Sequence, residues 1–277
     1  MKKIAFVFAT AAMLAACTGN KPQEPAQEVQ EPAATTRVAK EITESFEEQQ
    51  IKAGMSVQLD SLTACWLRAG KSPVQVSLEQ KSVTLSDDQK KVKPDYLLNP
   101  AEIMDKLESL SLKYRALTVL GIDKGVADIY EMPDVYSEAV SKLAAEVNDP
   151  AMTYIMETGM ENSDMSKVYE IEEQNGRANY FWEAAATGII EQLYVLTKNQ
   201  DMFLANFTDK DAEDITYRIV LLLDAYEDLG EYNLELRKLY NVLLPLEVLD
   251  AITVDQLREQ LGQVAGQVEQ ARATLFL

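Results

Sequence analysis

The sequence predicts an all-α fold: a single bundle of about seven to nine mostly antiparallel helices. Three observations carry that prediction. Beyond residue 37, apolar residues recur at alternating three- and four-residue steps, which places them on one face of a helix. Helix start and stop signals bracket those runs. Alternation with a period of two, the mark of a half-buried strand, is confined to one short stretch.

The elements follow in order. Val38, Ile42 and Phe46 open a first helix, which continues through Leu59, Leu62 and Trp66 towards Gly70. Residues 72–94 leave two readings open. Val74/Val76/Leu78 and Val83/Leu85 alternate as in a β-hairpin, while a loop with one helical turn after Ser86 fits equally well. Asn99-Pro100-Ala101-Glu102 combines an N-cap, a proline at the first helical position and a Glu three residues after the cap. Ile103, Leu107, Leu110, Tyr114 and Leu117 then form one stripe, with Gly121 as its expected stop.

After Pro133, Val135, Ala139, Leu143 and Val147 mark a helix that ends before Asn148-Asp149-Pro150. A weaker helix is expected over 163–175. A strong one runs from Arg177 to about Lys198, with Phe181, Trp182, Ala185, Ile189, Leu193 and Leu196. The next spans Asp209 to Leu229 and stops at Gly230. A shorter one covers about 232–244, before Pro245. Thr253 and Gln256 form a capping-box pair for the last helix, whose stripe is Leu257, Leu261, Val264, Val268 and Ala271. Short connections make sequence neighbours antiparallel. Residues 37–277 form the helical domain, in which 37–95 is a candidate subdomain. Tyr114-Arg115 and Tyr217-Arg218 recur at one spacing, but their surroundings disagree and do not make a repeat.

The chain has 277 residues and no histidine. That excludes the usual Ser-His-Asp and Cys-His nucleophile pairs and removes the commonest transition-metal ligand. The two cysteines are Cys17 and Cys65. Cys65 reads as a small buried apolar residue. No catalytic residues, metal ligands or cofactors are assigned from the sequence.

Candidate site residues are few. In "NYFWEAAATG", Tyr180 and Trp182 are the candidate ligand-binding side chains, for stacking on a sugar or lining a cleft. Trp182 also shares the core stripe of Ala185 and Ile189, and Tyr180 lies off its centre. The acids of "DKDAED", 209–214, fit favourable interaction with a helix N-terminus better than a calcium site. Asp224, Asp228 and Glu235 fall at calcium-loop spacing, but Tyr226 and a late Gly230 break the pattern. Adjacent acids such as Glu172/Glu173 could in principle serve glycoside hydrolysis. Gly262 and Gly266 form a small-residue face, expected to admit a close helix or a second copy.

The start of the chain carries the sharpest signal. Lys2 and Lys3 precede an apolar run, Ile4 to Leu14, too short to span a bilayer. Then comes Leu14-Ala15-Ala16-Cys17. This layout is that of an export signal, and the four residues resemble the lipobox of bacterial lipoproteins at every position. The resemblance implies removal of residues 1–16 as signal peptide and a thioether-linked lipid on Cys17. It covers the leader only and assigns the remaining chain to no family. Thr18 in place of an acid implies, by the same resemblance, the outer membrane. The first acid behind Cys17 is Glu24, which favours the periplasmic face over the cell surface.

Residues 17–36 follow with three prolines and many Glu and Gln, and Val29 as the lone large apolar side chain. Such a segment cannot bury enough surface to fold, and reads as a disordered tether. Fully extended, it would reach on the order of 60 Å. Without residues 1–16, 24 basic residues face 45 acidic ones, a net charge of −21. That repels nucleic acid and anionic headgroups. The expectation is a lipid-anchored cell-envelope protein that binds or scaffolds a protein or polymer partner, glycan included. The alternatives are a ligand-binding lipoprotein with an interhelical cleft for sugar, peptide or cation and, third, a carboxylate-dependent enzyme.

Overall fold

The computed structural model describes residues 85–132, 134–158 and 165–276, with positions 50, 53, 54, 57 and 83 before them. The leader, Cys17, the 17–36 segment, most of the expected first helix, Cys65 and most of 72–84 lie outside the described residues.

The fold is an all-α bundle, and no strand occurs among the described residues. Their α-helices are α1 (Asp87–Lys91), α2 (Pro100–Ile103), α3 (Leu110–Ile129), α4 (Val135–Val147), α5 (Pro150–Thr158), α6 (Met165–Gln174), α7 (Ala178–Lys198), α8 (Gln200–Phe203), α9 (Asp209–Leu229), α10 (Leu234–Leu243) and α11 (Val254–Thr274). Short 3₁₀ turns follow α2 and α10. Of the two readings for 72–94, the described part takes the helical turn. Ser86 Oγ accepts from the Gln89 N–H, and Gln89 Oε1 accepts from the Ser86 N–H, a capping box that starts α1.

The expected helix from Asn99 to Gly121 is two helices. Asn99 caps the first as anticipated, its side chain accepting from the Ala101 N–H at 3.1 Å. That helix ends after one turn, and Ser109 starts a new one by accepting from the Leu112 N–H. Gly121 does not stop α3, which runs on to Ile129. The stop there is a Schellman turn. The Met132 N–H reaches the Ala127 carbonyl at 3.0 Å and the Glu131 N–H reaches that of Asp128 at 3.1 Å. Its left-handed residue is Glu131, at φ 50°, where a glycine is usual.

Helix α7 is the axis of the bundle. It packs against α3, α6, α8, α9, α10 and α11. Ala186 to Leu196 are buried without interruption, so this helix is enclosed on every side. The last helix buries its predicted stripe of Leu257, Leu261, Val264, Val268 and Ala271 against this core. A second apolar cluster joins α3 to α4 through Tyr114, Leu117, Leu120, Val140 and Leu143.

Antiparallel packing holds for α3 with α4, where Lys113 pairs with Glu146 at 2.8 Å. It holds for α7 with α9, where Arg218 Nη1 meets Gln192 and the Tyr226 hydroxyl donates to the Trp182 carbonyl at 2.6 Å. Helices α3 and α7 run parallel. Arg115 lies on Glu183, and eight residues further along both helices Asp123 lies beside Glu191. The α4–α6 segment carries the chain back between them.

The small-residue face of α11 has a different surrounding from that expected. Gly262 and Gly266 are exposed, and a Cβ at either would meet nothing within 4 Å. Among the described residues no helix approaches there.

Candidate functional site

A polar cluster forms where α3, α5, α6 and α7 converge. Asp149 precedes α5, and its Oδ1 accepts from the Ala151 N–H at 2.7 Å. Asp-Pro before a helix is the same start signal as Asn99-Pro100. Its Oδ2 accepts from the Tyr114 hydroxyl of α3. Arg177 Nη1 donates to that hydroxyl and to the Val147 carbonyl, each at 3.0 Å, and lies 3.9 Å from Asp149 Oδ2.

Arg177 owes its position to the turn after α6. The Arg177 N–H donates to the Glu172 carbonyl at 2.6 Å and the Gly176 N–H to that of Glu173 at 3.0 Å. Gly176 takes φ 67°, the left-handed conformation this Schellman turn requires. The turn ends α6 and leads straight into α7.

Glu172 completes the cluster. It is 5 % exposed and Asp149 is 4 % exposed. Glu172 Oε2 has no hydrogen-bond partner among the described residues. Burial pushes the Glu172 carboxyl up to about 9, helped by its hydrogen bond to Asp149 and the charge there, and opposed by Arg177. At neutral pH Glu172 is therefore protonated and can donate to the Asp149 carboxylate. Burial, then the bond to Asp149, also raises the Tyr114 hydroxyl. Glu173 is exposed, so the adjacent Glu172/Glu173 acids do not form a working pair; the partner of Glu172 comes from another helix.

Tyr180 and Trp182 occupy different environments. Tyr180 is half-buried and stacks on Tyr114, with ring centroids 4.7 Å apart and planes 9° from parallel. Trp182 is fully buried, with edge contacts to Phe181 at 5.5 Å and to Tyr169 and Tyr226 at 6.2 Å. Tyr180 thus belongs to the polar cluster through Tyr114, whereas Trp182 is part of the apolar core. Known proteins add no further constraint. No protein-family model, no curated protein and no solved structure matches this chain.

Asp209 and Asp211 lie in the first turn of α9. Asp211 forms a capping box with Thr208, and Asp209 Oδ1 accepts from the Val254 N–H at 3.0 Å. Their roles are helix start and the docking of α11. Asp224 is exposed on α9, and Glu235 pairs with Arg115 and Lys238. Among the described residues no group of three or more acids or cysteines is arranged to hold a metal ion.

The chemical capacity of the cluster is to hold a proton. Two carboxyls share a dry site with one guanidinium and a phenol, and burial closes both acids to a substrate the size of a sugar. Sequence reasoning did not assemble these residues, because Tyr114, Asp149, Glu172 and Arg177 come from four separate elements.

Proposed function

We propose that this chain is a lipid-anchored protein of the bacterial cell envelope whose helical domain binds or scaffolds a protein or polymer partner. The observation that carries the proposal is Leu14-Ala15-Ala16-Cys17 behind a basic start and a short apolar run. A thiol at that position can be alkylated where a hydroxyl would react poorly. Two or more acyl chains then anchor it, each buried CH₂ contributing about 0.8 kcal/mol. Thr18 supports the outer membrane, and Glu24 as the first acid supports its periplasmic face.

Binding is favoured over catalysis by the burial of both described acid pairs that hold a raised carboxyl, Asp149 with Glu172 and Asp123 with Glu191. Leu244, Val248 and Ile252 present apolar side chains to solvent at four-residue steps between α10 and α11. Those positions are the first to probe for a partner. A photo-crosslinking residue at Val248 or Ile252 of the anchored protein, activated in intact cells, is expected to yield a discrete adduct. The absence of any adduct there and at Leu234 would count against a binding role. The anchor is tested separately, by mass analysis of the amino-terminal peptide. The expected peptide begins at a lipid-modified Cys17; one that retains Met1 and a free thiol would refute it.

A further inference from the structure

A second cluster of buried charge lies where α3, α7 and α11 meet. Asp123 and Glu191 are both 0 % exposed. Arg272 Nε donates to Glu191 Oε2 at 2.7 Å, while Arg272 Nη2 stands 3.7 Å from Asp123 Oδ2. The Leu98 N–H donates to Asp123 Oδ2 at 2.7 Å. One oxygen of each acid is then left over. Asp123 Oδ1 and Glu191 Oε1 are buried with no hydrogen-bond partner among the described residues. The two carboxyl groups are themselves within hydrogen-bonding reach of each other.

Two ionised carboxylates against one guanidinium would leave an uncompensated negative charge in a dry core, which is strongly unfavourable. Two buried acceptor oxygens without a donor would add to that penalty. One proton removes both problems. We propose that Asp123 and Glu191 hold a single proton between them, so that the Asp123–Glu191–Arg272 triad is electrically neutral inside the bundle. The proton resides on Asp123 and is donated to Glu191, because Arg272 lies closer to Glu191 and stabilises its ionised form.

The side chains around the triad are mainly phenols, and the further cation Lys198 is paired with Glu269 at 3.4 Å. From α4 the neighbour is Tyr136, and from the segment before α2 it is Tyr96, which in turn faces Tyr130 just past the end of α3. From α7 it is Tyr194, whose ring carries Arg272 at 4.1 Å on it and Lys198 at 4.4 Å. Burial, the largest cause for each, raises Tyr96 and pushes Tyr136 up to about 12, so both stay neutral at neutral pH. Arg272 is the one cation that touches the acids among these groups.

The consequence is an alkaline-sensitive latch for α11. The folded pair keeps a proton that the unfolded chain releases above the ordinary carboxylate range. Stability contributed by the triad is therefore full at acidic pH and falls as pH rises until the folded pair also loses its proton.

The test is carbon-13 NMR of the Asp and Glu side-chain carboxyls in the whole protein across a pH series, with Asp123→Asn, Glu191→Gln and Glu172→Gln used for assignment. The expected result at neutral pH is one protonated resonance from the Asp123–Glu191 pair that shifts only under alkaline conditions. Two carboxylate resonances at neutral pH would overturn the proposal, as would stabilisation by added potassium chloride with both acids ionised. Thermal melting gives a second readout. Asp123→Asn is expected to melt at or above the parent temperature at neutral pH with a flatter alkaline limb. The double variant Asp123→Asn/Glu191→Gln is expected to melt lower, because Arg272 is left buried and unpaired. A double variant as stable as the parent would contradict the neutral triad.

Discussion

Tyr114 and Tyr180 lie face to face, 4.7 Å between ring centroids, and this stack joins α3 to the first turn of α7. The Tyr114 hydroxyl is engaged with Asp149 and Arg177, so the stack also fixes the polar cluster. Aromatic pairs of this kind are worth about 0.5–1.5 kcal/mol beyond area burial. Tyr180→Ala should therefore lower unfolding free energy by about 1–3 kcal/mol once lost burial is included. Tyr180→Phe, which keeps the ring, should stay within about 0.5 kcal/mol of the parent. Chemical denaturation of the two variants checks this; equal losses would show that the hydroxyl, not the ring, matters.

Glu172 gives a pH signature. Its folded carboxyl is raised to about 9 from an ordinary 4.5, so the folded state binds more protons than the unfolded state between those values. Stability must then fall as pH rises through that window. Glu172→Gln mimics the protonated acid and keeps a donor for Asp149. It should match the parent near the lower end and exceed it by several kcal/mol, up to about 6, at the upper end. Melting temperature against pH for both proteins decides the matter. Parallel curves would mean that Glu172 titrates normally.

Glycines at three positions should respond with opposite signs. At Gly176 a side chain has room but φ is 67°, so Gly176→Ala should cost about 1 kcal/mol and loosen the turn that positions Arg177. At Gly262 and Gly266 the helix is exposed and open, so each alanine should add about 1 kcal/mol from helix propensity alone. Destabilisation by Gly262→Ala or Gly266→Ala would reveal a close neighbour on that face.

Gly230 is required for another reason. Its φ of −66° suits any residue, but an added Cβ would stand 2.7 Å from the Tyr226 carbonyl oxygen and 3.1 Å from the Arg237 Cα. Gly230→Ala should push α10 away from the end of α9 and cost about 1–3 kcal/mol. Hydrogen exchange should show the loss first in Leu234–Leu243. An unchanged melting temperature would refute the close approach.

Much of the bundle was legible wherever local chemistry and burial agreed. Thr208, Asp211 and Gly230 frame α9 at its predicted limits. The Leu257–Ala271 stripe is buried residue for residue. At Thr253 the agreement is partial: its side chain caps the Gln256 N–H, but Gln256 Oε1 accepts from the Ile252 N–H instead. The failures have physical causes. Helix α3 ends on a left-handed Glu131, which no composition rule flags, and Gly121 lies in mid-helix. Helix α5 is hidden in the sequence because Asn148-Asp149-Pro150 signals the stop of α4, although Asp-Pro also starts a helix. The buried charges were the hardest part. Glu183, Thr187 and Glu191 follow four-residue steps on α7, and that polar stripe was the available clue to a helix enclosed on all sides. The partners of Glu183 and Glu191, which are Arg115, Asp123 and Arg272, come from helices remote in sequence, so no local pattern pairs them.

The proposed anchoring of this domain is tested most directly by Cys17→Ser, expressed beside the parent in a bacterium fed a labelled fatty acid. The parent should take up label and enter the detergent phase, and the variant should remain unlabelled in the aqueous phase. A Cys17→Ser chain that still carries the label and follows detergent would contradict the account.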